Sequence, residues 1–253
     1  MKQATVDSFQ AIQNDTYSVL GAEILPKLLV ELDHSTLERY RDALQELKKW
    51  DYRYETGSIG ATIFNMWWNV LYGRIWSDEF DKKKKQLRWP SRDRTERLLL
   101  DEKNSIWFDD ITTPEKETRQ MIINQAFTQA LDSLHSKMGQ LGKNWRWGFF
   151  RKCRISHLGG IDAFSLGPFE AGGAANTIDA LTEDFGPSWR MIVELGPKVR
   201  GYGIFPGGES GNPGSYYYDN FFPAWKEGKL KELTYMVSKE EFPDSVLFTV
   251  TLN

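Results

Sequence analysis

The amino-acid sequence predicts an α+β protein with a mainly helical first half and a second half of strands and ordered loops. Up to about residue 141, apolar residues recur at helical spacing. After residue 142 the glycines multiply, and short runs of β-favouring residues alternate with turn residues. We therefore expect region 1–141 to be mainly helical and region 142–253 to complete the same core. The two regions are expected to form one fragment and not two independent domains.

The first 80 residues are expected to form several helices. Pro26 falls inside the second apolar stripe and should kink or split it, because proline lacks the N–H that a helix interior needs. Residues 33–36 break the pattern before the third stripe. In order, we expect a short helix capped by Thr5, a stripe from Tyr17 to Leu32, a stripe from Leu37 to Trp50, and a long core helix from Ile59 to Phe80 capped by Ser58.

The next sixty residues carry one clear helical signal. Lys82 to Lys85 is a charge run, which is typical of a solvated helix end or loop. Arg88 to Asp110 shows no firm period, and Leu98 to Leu100 is expected to be a short buried turn. Glu115 to Met138 is amphipathic and predicts a helix, with Thr113 as N-cap and Pro114 at the first helical position.

The second half predicts strands. Asn144 to His157 contains alternating, β-favouring segments, and Trp189 to Leu195 is the strongest strand signal in the chain. Val199 to Phe205 is expected to pair with that strand across the Gly196-Pro197 turn. Ser245 to Leu252 is expected to close the chain as a third strand.

Composition excludes several classes of function. The formal net charge of −3 and the estimated pI near 5.8 argue against nucleic acid as a partner, because gripping phosphates needs a basic excess. No run approaches the roughly 18 to 20 apolar residues that span a bilayer. The first residues have no hydrophobic segment behind Lys2 and are not expected to act as a secretory signal, so either the protein stays inside the cell or its leader has been removed. Cys153 is the only cysteine, so no internal disulfide or thiolate metal cluster is expected.

The glycine-rich stretch from Gly201 to Trp225 invites a nucleotide-binding interpretation, which its residues do not support. It lacks a Gly-Lys-Ser/Thr ending, and Pro206 sits where a dinucleotide fingerprint needs a flexible turn. Ser210 lies in a segment one residue short of a nucleophile elbow, so its hydroxyl is expected to cap a turn.

Metal and acid–base chemistry are also weakly indicated. The three histidines lie far apart, and none has a second ligand at metal spacing. The acid pairs in the middle of the chain are expected to face solvent. These residues are His34, His135 and His157, and Asp109, Asp110, Glu115 and Glu117.

A series of motifs follows in order along the second half of the chain. They are Trp145-Arg-Trp147-Gly148 followed by His157; Gly172 to Ala180; Gly186 to Leu195, which contains Trp189 and Arg190; Pro206 to Ser215, which contains Ser210 and Asn212; and Tyr218, Asp219 and Trp225. Read together, they resemble the C-terminal half of the β subunit of the penicillin acylase family of N-terminal nucleophile hydrolases. Further landmarks of that family match upstream, between Phe9 and Phe80. The resemblance implies an αββα fold, to whose β-subunit core these structural landmarks belong.

The resemblance also implies an activity and its partners. In this family a serine at the start of the β subunit attacks a linear amide bond of acylated compounds such as β-lactams or acyl-homoserine lactones. Its own α-amino group acts as base, and an Asn side chain with a backbone N–H stabilises the oxyanion. By resemblance these groups and the calcium ligands lie upstream, so the partners are the α subunit and the N-terminal part of the β subunit. The family implies a periplasmic or secreted location, and this chain alone is expected to be inert.

Three positions of this chain could still correspond to catalytic or self-cleavage residues of the family. Glu194 occupies a strand position where, in the cephalosporin and acyl-homoserine lactone acylase branches, an acid orients a histidine near the nucleophile. The alternative is a strand-face acid paired with Arg190 or Arg200. Gly57-Ser58 and Gly214-Ser215 mimic the self-cleavage site, but the first should open a helix and the second should lie in a turn.

A second class of function also fits the composition. With 10 Trp and 15 Phe, the chain has enough aromatic residues for a free-standing binding or structural module, such as a glycan-binding one. The two interpretations differ in what they expose. A fragment of a larger enzyme should present one large apolar face. A module should be covered and should display its aromatic residues as an open platform.

Overall fold

The computed structural model describes residues 4–80, 87–235, 238 and 250–251, and it confirms an α+β protein. The described residues form nine α-helices: α1 (Val6–Gln13), α2 (Val19–Leu29), α3 (His34–Arg39), α4 (Arg41–Lys49), α5 (Ile59–Trp76), α6 (Arg92–Asp101), α7 (Arg119–Met138), α8 (Trp147–Phe150) and α9 (Phe222–Lys226). They also form five strands: β1 (Cys153–Ile155), β2 (Leu166–Phe169), β3 (Arg190–Glu194), β4 (Arg200–Ile204) and β5 (Lys231–Leu233).

The chain divides into two compact units. One unit is Asp15–Gly186, which contains α2 to α8 and the antiparallel β1–β2 pair. The other combines Met1–Asn14 with Pro187–Asn253 and contains α1, α9 and the antiparallel sheet β3–β4–β5. The boundary near residue 142 and the single-fragment organisation remain predictions.

Helix α5 is the centre of the larger unit. The predicted cap is confirmed, because Ser58 Oγ accepts from the Ala61 N–H at 3.1 Å. The helix packs against α7, where the Trp67 and Phe127 rings lie 4.6 Å apart and the Trp67 indole donates to the Ile123 carbonyl at 3.2 Å. The prediction of a buried core helix is therefore confirmed, although it ends at Trp76 and not at Phe80.

The first helix begins where the sequence predicts. The Thr5 side chain accepts from the Ser8 N–H at 3.2 Å, and the Ser8 hydroxyl accepts from the Thr5 N–H at 2.9 Å. This reciprocal pair satisfies two backbone donors that the first turn leaves without helical partners.

The sequence predicts that Pro26 kinks or splits the second stripe. The split is wrong, and the kink stays a prediction. Helix α2 continues through Pro26 to Leu29, and its N-terminus is capped by Ser18. Pro26 removes only the helical bond that its N–H would donate to the Ala22 carbonyl, four residues earlier. Burial of Ile24, Leu25 and Leu28 holds the helix together across that point.

The segment without a firm period contains helix α6, so the prediction of a short buried turn at Leu98 to Leu100 is wrong. Ser91 Oγ accepts from the Arg94 N–H at 3.2 Å and starts the helix. Within it only Thr95, Leu98 and Leu99 are buried, and an apolar stripe this narrow is hard to detect in sequence.

Helix α7 begins five residues later than the predicted N-cap and first helical position place it. Its N-cap is Thr118, not Thr113. The Thr113 hydroxyl donates to the Glu117 carboxylate at 2.8 Å, and that carboxylate also accepts from the Asp110 N–H at 3.1 Å. These local side-chain bonds offer the backbone an alternative to the helix, so Glu115 to Thr118 remains a loop.

The strand prediction for Asn144 to His157 is wrong over its first part. A 3-10 turn covers Lys143–Trp145 and α8 follows, before β1 pairs with β2. The N–H groups of Trp147 and Gly148 donate to the Ser58 and Thr56 carbonyls, each at 2.9 Å. These tertiary bonds tie the segment down as a short helix, which overrides its β propensity.

The β3–β4 hairpin is confirmed. The strands pair in register from Arg190 with Ile204 to Glu194 with Arg200. The third strand of the described sheet is β5, which the sequence did not indicate. Within the strand predicted for Ser245 to Leu252, only residues 250–251 are described and they are not in a strand; the rest lies outside the described residues, as does the charge run from Lys82 to Lys85.

Candidate functional site

Three of the landmark residues lie in the unit Asp15–Gly186. Trp145 is buried, and its indole donates to the Gly139 carbonyl at 3.1 Å. Trp147 is also buried and donates to the Gly173 carbonyl at 2.8 Å, while its ring lies 4.8 Å from that of Tyr54. His157 is half-buried, and its Nδ1 accepts from the Gly159 N–H at 3.2 Å. These contacts are those of packing and turn residues.

Arg151 is a buried residue of this unit that the sequence reasoning missed. Its guanidinium donates to the Leu181 carbonyl and, at 2.8 Å, to the Gly172 carbonyl, and it lies 4.9 Å from the Trp147 ring centroid. Burial lowers the pKa of Arg151 below its ordinary value. One arginine among several in this stretch carries no sequence signal that distinguishes a buried anchor from a surface charge.

A cleft of about 340 Å³ opens beside Arg151. Its one hydroxyl, on Thr182, donates to the Phe185 carbonyl at 3.1 Å. The described residues that line it include no serine, cysteine or histidine, so it offers no nucleophile paired with a base. Its charged lining residues are of both signs: Arg92, Arg151, Glu183 and Asp184.

Cys153 lies at the start of β1. Its side chain is 1% exposed, and burial raises the pKa of its thiol. A buried thiol with a raised pKa is a poor nucleophile, because the thiolate is the reactive form.

The remaining landmarks lie in the other unit, where Arg190 and Trp225 meet. The Arg190 guanidinium donates to the Trp225 carbonyl at 2.9 Å and lies 5.3 Å from the centroid of its ring. The Trp225 indole donates to the Pro187 carbonyl at 2.9 Å, and the residue is 2% exposed. Trp189 is half-exposed, with its ring 6.1 Å from that of Phe205.

The polar landmarks shape the glycine-rich loop. Ser210 Oγ accepts from the Asn212 N–H at 3.1 Å, and Asn212 Oδ1 accepts from the Gly214 N–H at 3.0 Å. The Tyr218 N–H donates to the Ser215 carbonyl at 3.1 Å, and the Asp219 carbonyl accepts from the Phe222 N–H at 3.0 Å. The loop is therefore a series of turns leading into α9.

Both Gly-Ser bonds lie where the sequence predicts. Ser58 caps α5, and Ser215 lies in a turn where its hydroxyl accepts from the Tyr217 N–H at 3.1 Å. Neither serine opens a strand.

Glu194 lies at the end of β3 and is half-exposed. Its carboxylate is 3.8 Å from the Arg200 guanidinium, which also contacts Glu232 at 3.3 Å. The predicted strand-face ion pair with Arg200 is thus present. Arg190, the other predicted partner, is turned toward Trp225.

Across the described ranges, no group of three or more His, Cys, Asp or Glu side chains is arranged to hold a metal ion. Among the helices of those same ranges, none is long and apolar enough to cross a bilayer.

The chain belongs to the penicillin amidase family, whose model matches residues 1–241.

Among curated proteins, the chain is similar to acyl-homoserine lactone acylases of pseudomonads. It is 27% identical to acyl-homoserine lactone acylase QuiP of Pseudomonas putida, over 89% of this chain and 32% of the relative. It is 25% identical to the QuiP of Pseudomonas aeruginosa, over 78% of this chain and 27% of the relative. The QuiP of Pseudomonas syringae pv. syringae is also 25% identical, over 83% of this chain and 28% of the relative. The chain thus spans 27% to 32% of the length of these curated relatives.

Proposed function

We propose that this chain is the C-terminal part of the β subunit of an αββα N-terminal nucleophile amidohydrolase that cleaves acyl-homoserine lactones or related acylated amides. The observation that carries the proposal is the match to acyl-homoserine lactone acylases, which covers 89% of this chain and 32% of the Pseudomonas putida relative. Most of such an enzyme therefore lies outside the aligned part. The chain alone is proposed to be inert.

The proposal places the nucleophile and the oxyanion groups in the rest of the enzyme. The serines at the two Gly-Ser bonds act as turn and helix caps, and Cys153 is buried. Within the described residues, these positions favour a structural contribution of this chain over a chemical one. For Glu194 we propose the strand-face ion pair with Arg200 as its role, and a role in orienting a histidine of the assembled enzyme stays the alternative.

The landmarks are proposed to act as structural anchors. The burial of Trp145, Trp147 and Trp225 and the turn hydrogen bonds of Ser210 and Asn212 support this role. The residues concerned are Trp145, Trp147, His157, Trp189, Arg190, Ser210, Asn212, Tyr218, Asp219 and Trp225.

The family resemblance also leads to proposals about the partners, the calcium site and the location of the assembled enzyme. The partners are proposed to be the α subunit and the N-terminal part of the β subunit. Calcium, where the enzyme binds it, is proposed to be held by residues of those parts. The assembled enzyme is proposed to be periplasmic or secreted.

Hydrolysis assays test the proposal. The substrates are an N-acyl-homoserine lactone of long chain and a phenylacetyl amide, and the readout is the released amine. We expect no turnover by the isolated chain and turnover when it is co-expressed with the part of the Pseudomonas putida acylase outside the aligned third. Enzyme-like turnover by the isolated chain would contradict the proposal that the nucleophile and the oxyanion groups lie in the rest of the enzyme.

The alternative, a glycan-binding module, draws on the exposed tyrosines of the glycine-rich loop. Tyr216 and Tyr217 are 81% and 52% exposed. Their rings meet at 84° with centroids 5.3 Å apart, so they do not form the flat platform on which a sugar ring stacks. Specific binding on a glycan array that Tyr216→Ala abolishes would favour this alternative.

A further inference from the structure

Strand β3 carries large apolar side chains on the face that is open to solvent. Along the strand, Arg190 and Ile192 are buried, whereas Met191 and Val193 are 46% and 43% exposed. The flanking residues Trp189 and Leu195 are 46% and 83% exposed. Alternation normally places polar residues on the solvent side of a sheet, so this strand has the pattern of one that is covered on both faces.

The strand register extends this apolar surface across the sheet. Met191 and Val193 lie opposite Gly203 and Gly201, and Gly201 lies opposite Leu233 of β5. Directly opposed residues of antiparallel strands point to the same face. We call the face formed by Trp189, Met191, Val193 and Leu233 the outer sheet face.

The glycines of β4 make this face flat. A Cβ placed at Gly203 would lie 2.7 Å from the Trp189 ring and 3.1 Å from Leu233 Cδ1, so both side chains lie directly over the glycine backbone. Lys231 of β5 lies opposite Gly203 and therefore belongs to the same face, where its Nζ lies 4.1 Å from the Phe221 ring centroid. The outer sheet face is thus a flat, mainly apolar surface with one lysine on its β5 side, and it is suited to packing against another surface.

The free edge of β3 is a separate feature and is partly occupied. The Met191 carbonyl accepts from Gln13 Nε2 of α1 at 3.0 Å. Helix α1 thus meets a carbonyl of β3 where an added strand would pair. The uncovered part of this strand is its face, and a partner has to pack onto side chains.

We propose that the outer sheet face is where the rest of the acylase docks, through an apolar surface of its own. This inference rests on the proposed function. The curated relatives are about three times as long as the part that this chain matches, so they contain ample polypeptide to cover the face. Burying the four side chains removes apolar area from water, which is the main favourable contribution to such an association.

A binding measurement tests the docking face. The isolated chain is titrated, by surface plasmon resonance, onto the immobilised part of the Pseudomonas putida acylase outside the aligned third. The test variant is Met191→Lys with Val193→Lys. The matched control is Val30→Lys, which changes a valine that is 77% exposed at the end of α2. We expect the control to bind like the wild type and the double variant to bind about tenfold or more weakly, because buried lysines lose hydration.

A second double variant guards against misfolding. Met191→Thr with Val193→Thr keeps residues that suit a strand, and unchanged near-ultraviolet circular dichroism verifies its fold. We expect its affinity to fall between those of the wild type and the lysine variant.

The outcomes separate the two proposals. Binding and turnover that survive both double variants would overturn the docking face and leave the proposed function standing. If the wild type neither binds nor restores turnover, the proposed function fails as well. If sedimentation instead shows a dimer of this chain that the lysine variant dissociates, the face is covered by a second copy and the inference is overturned.

Discussion

Trp225 anchors the end of the glycine-rich loop through three separate contacts. Its indole and carbonyl are both hydrogen-bonded, and Arg190 lies against its ring. We expect Trp225→Ala to lower the free energy of unfolding by about 3 to 5 kcal/mol, because it leaves a large cavity. Chemical denaturation followed by circular dichroism measures this. Tyr216→Ala, at an exposed position of the same loop, should change stability little; an equally neutral result for Trp225→Ala would show that the site collapses or is not a core position.

Arg151 holds a loop by donating to carbonyls that have few other partners. We expect Arg151→Met to leave the Gly172 and Leu181 carbonyls without a charged donor, at a cost of about 1 to 3 kcal/mol. Hydrogen exchange should show faster labelling of residues 171–184 than in the wild type. The control is Lys152→Met, which changes the exposed neighbouring cation. Unchanged exchange in the Arg151 variant would mean that the loop is held by its backbone bonds alone.

Two glycines of α5 provide a matched test of how tightly this helix packs. A Cβ at Gly60 would lie 2.5 Å from Trp50 Cβ and 2.9 Å from the Glu46 carbonyl oxygen, whereas nothing lies within 4 Å of one at Gly73. We expect Gly73→Ala to stabilise the protein by up to about 1 kcal/mol, the difference in helix propensity. Gly60→Ala should destabilise it despite the same gain, as measured by thermal melts. Equal melting shifts would contradict the close approach of α4 and α5.

Helices α2 and α6 share a carboxylate pair that makes stability depend on pH. Burial and a hydrogen bond with Glu23 raise the pKa of Glu96 to about 7. Because the folded state favours the protonated form, this contribution is full below the ordinary glutamate pKa and is lost as the pH rises through about 7. We expect Glu96→Gln to melt like the wild type at pH 5 and at a higher temperature at pH 8.

The control for this prediction is Asp101→Asn, at an exposed position of α6. Its melting difference from the wild type should not show the same rise between pH 5 and pH 8. A Glu96→Gln variant without a pH-dependent difference would mean that burial and the neighbouring Glu23 do not raise the pKa of Glu96 in solution.

The elements that the sequence predicted share one property: their signals are local. Thr5 and Ser58 are N-cap residues that predict the start of their helices. Strands β3 and β4 are predicted by their β-favouring residues and by the turn between them. The missed features depend on distant partners. Residues 147–150 form a helix because Ser58 and Thr56 accept their N–H groups, and α7 starts late because Thr113 bonds to Glu117.

The same distinction applies to the candidate site. Trp147 and Trp225 could be identified as structural landmarks because tryptophans in ordered motifs are easily recognised in a sequence. Arg151 was missed because only the fold shows that its guanidinium is buried between Trp147 and the carbonyls of a loop. The ion pair of Glu194 was predicted as an alternative, since strand pairing places Arg200 opposite it.

At the scale of the whole molecule, the two units differ in how their apolar side chains are buried. The unit Asp15–Gly186 has a large aromatic core centred on α5. The unit of Met1–Asn14 with Pro187–Asn253 carries the outer sheet face, whose side chains stay exposed. The sequence predicts an apolar face for a fragment of a larger enzyme, and the proposed docking of the rest of the acylase uses this surface. That this chain is such a fragment stays a prediction.

Covalent labelling of the active assembly tests most directly whether this chain lacks the nucleophile. The chain is assembled with the remaining part of the acylase, treated with a sulfonyl fluoride until turnover stops, and separated for intact-mass spectrometry and peptide mapping. We expect one sulfonyl group on the first residue of the partner's β-subunit segment and none on this chain. Stoichiometric label on a serine of this chain, such as Ser58, Ser210 or Ser215, would contradict the proposal.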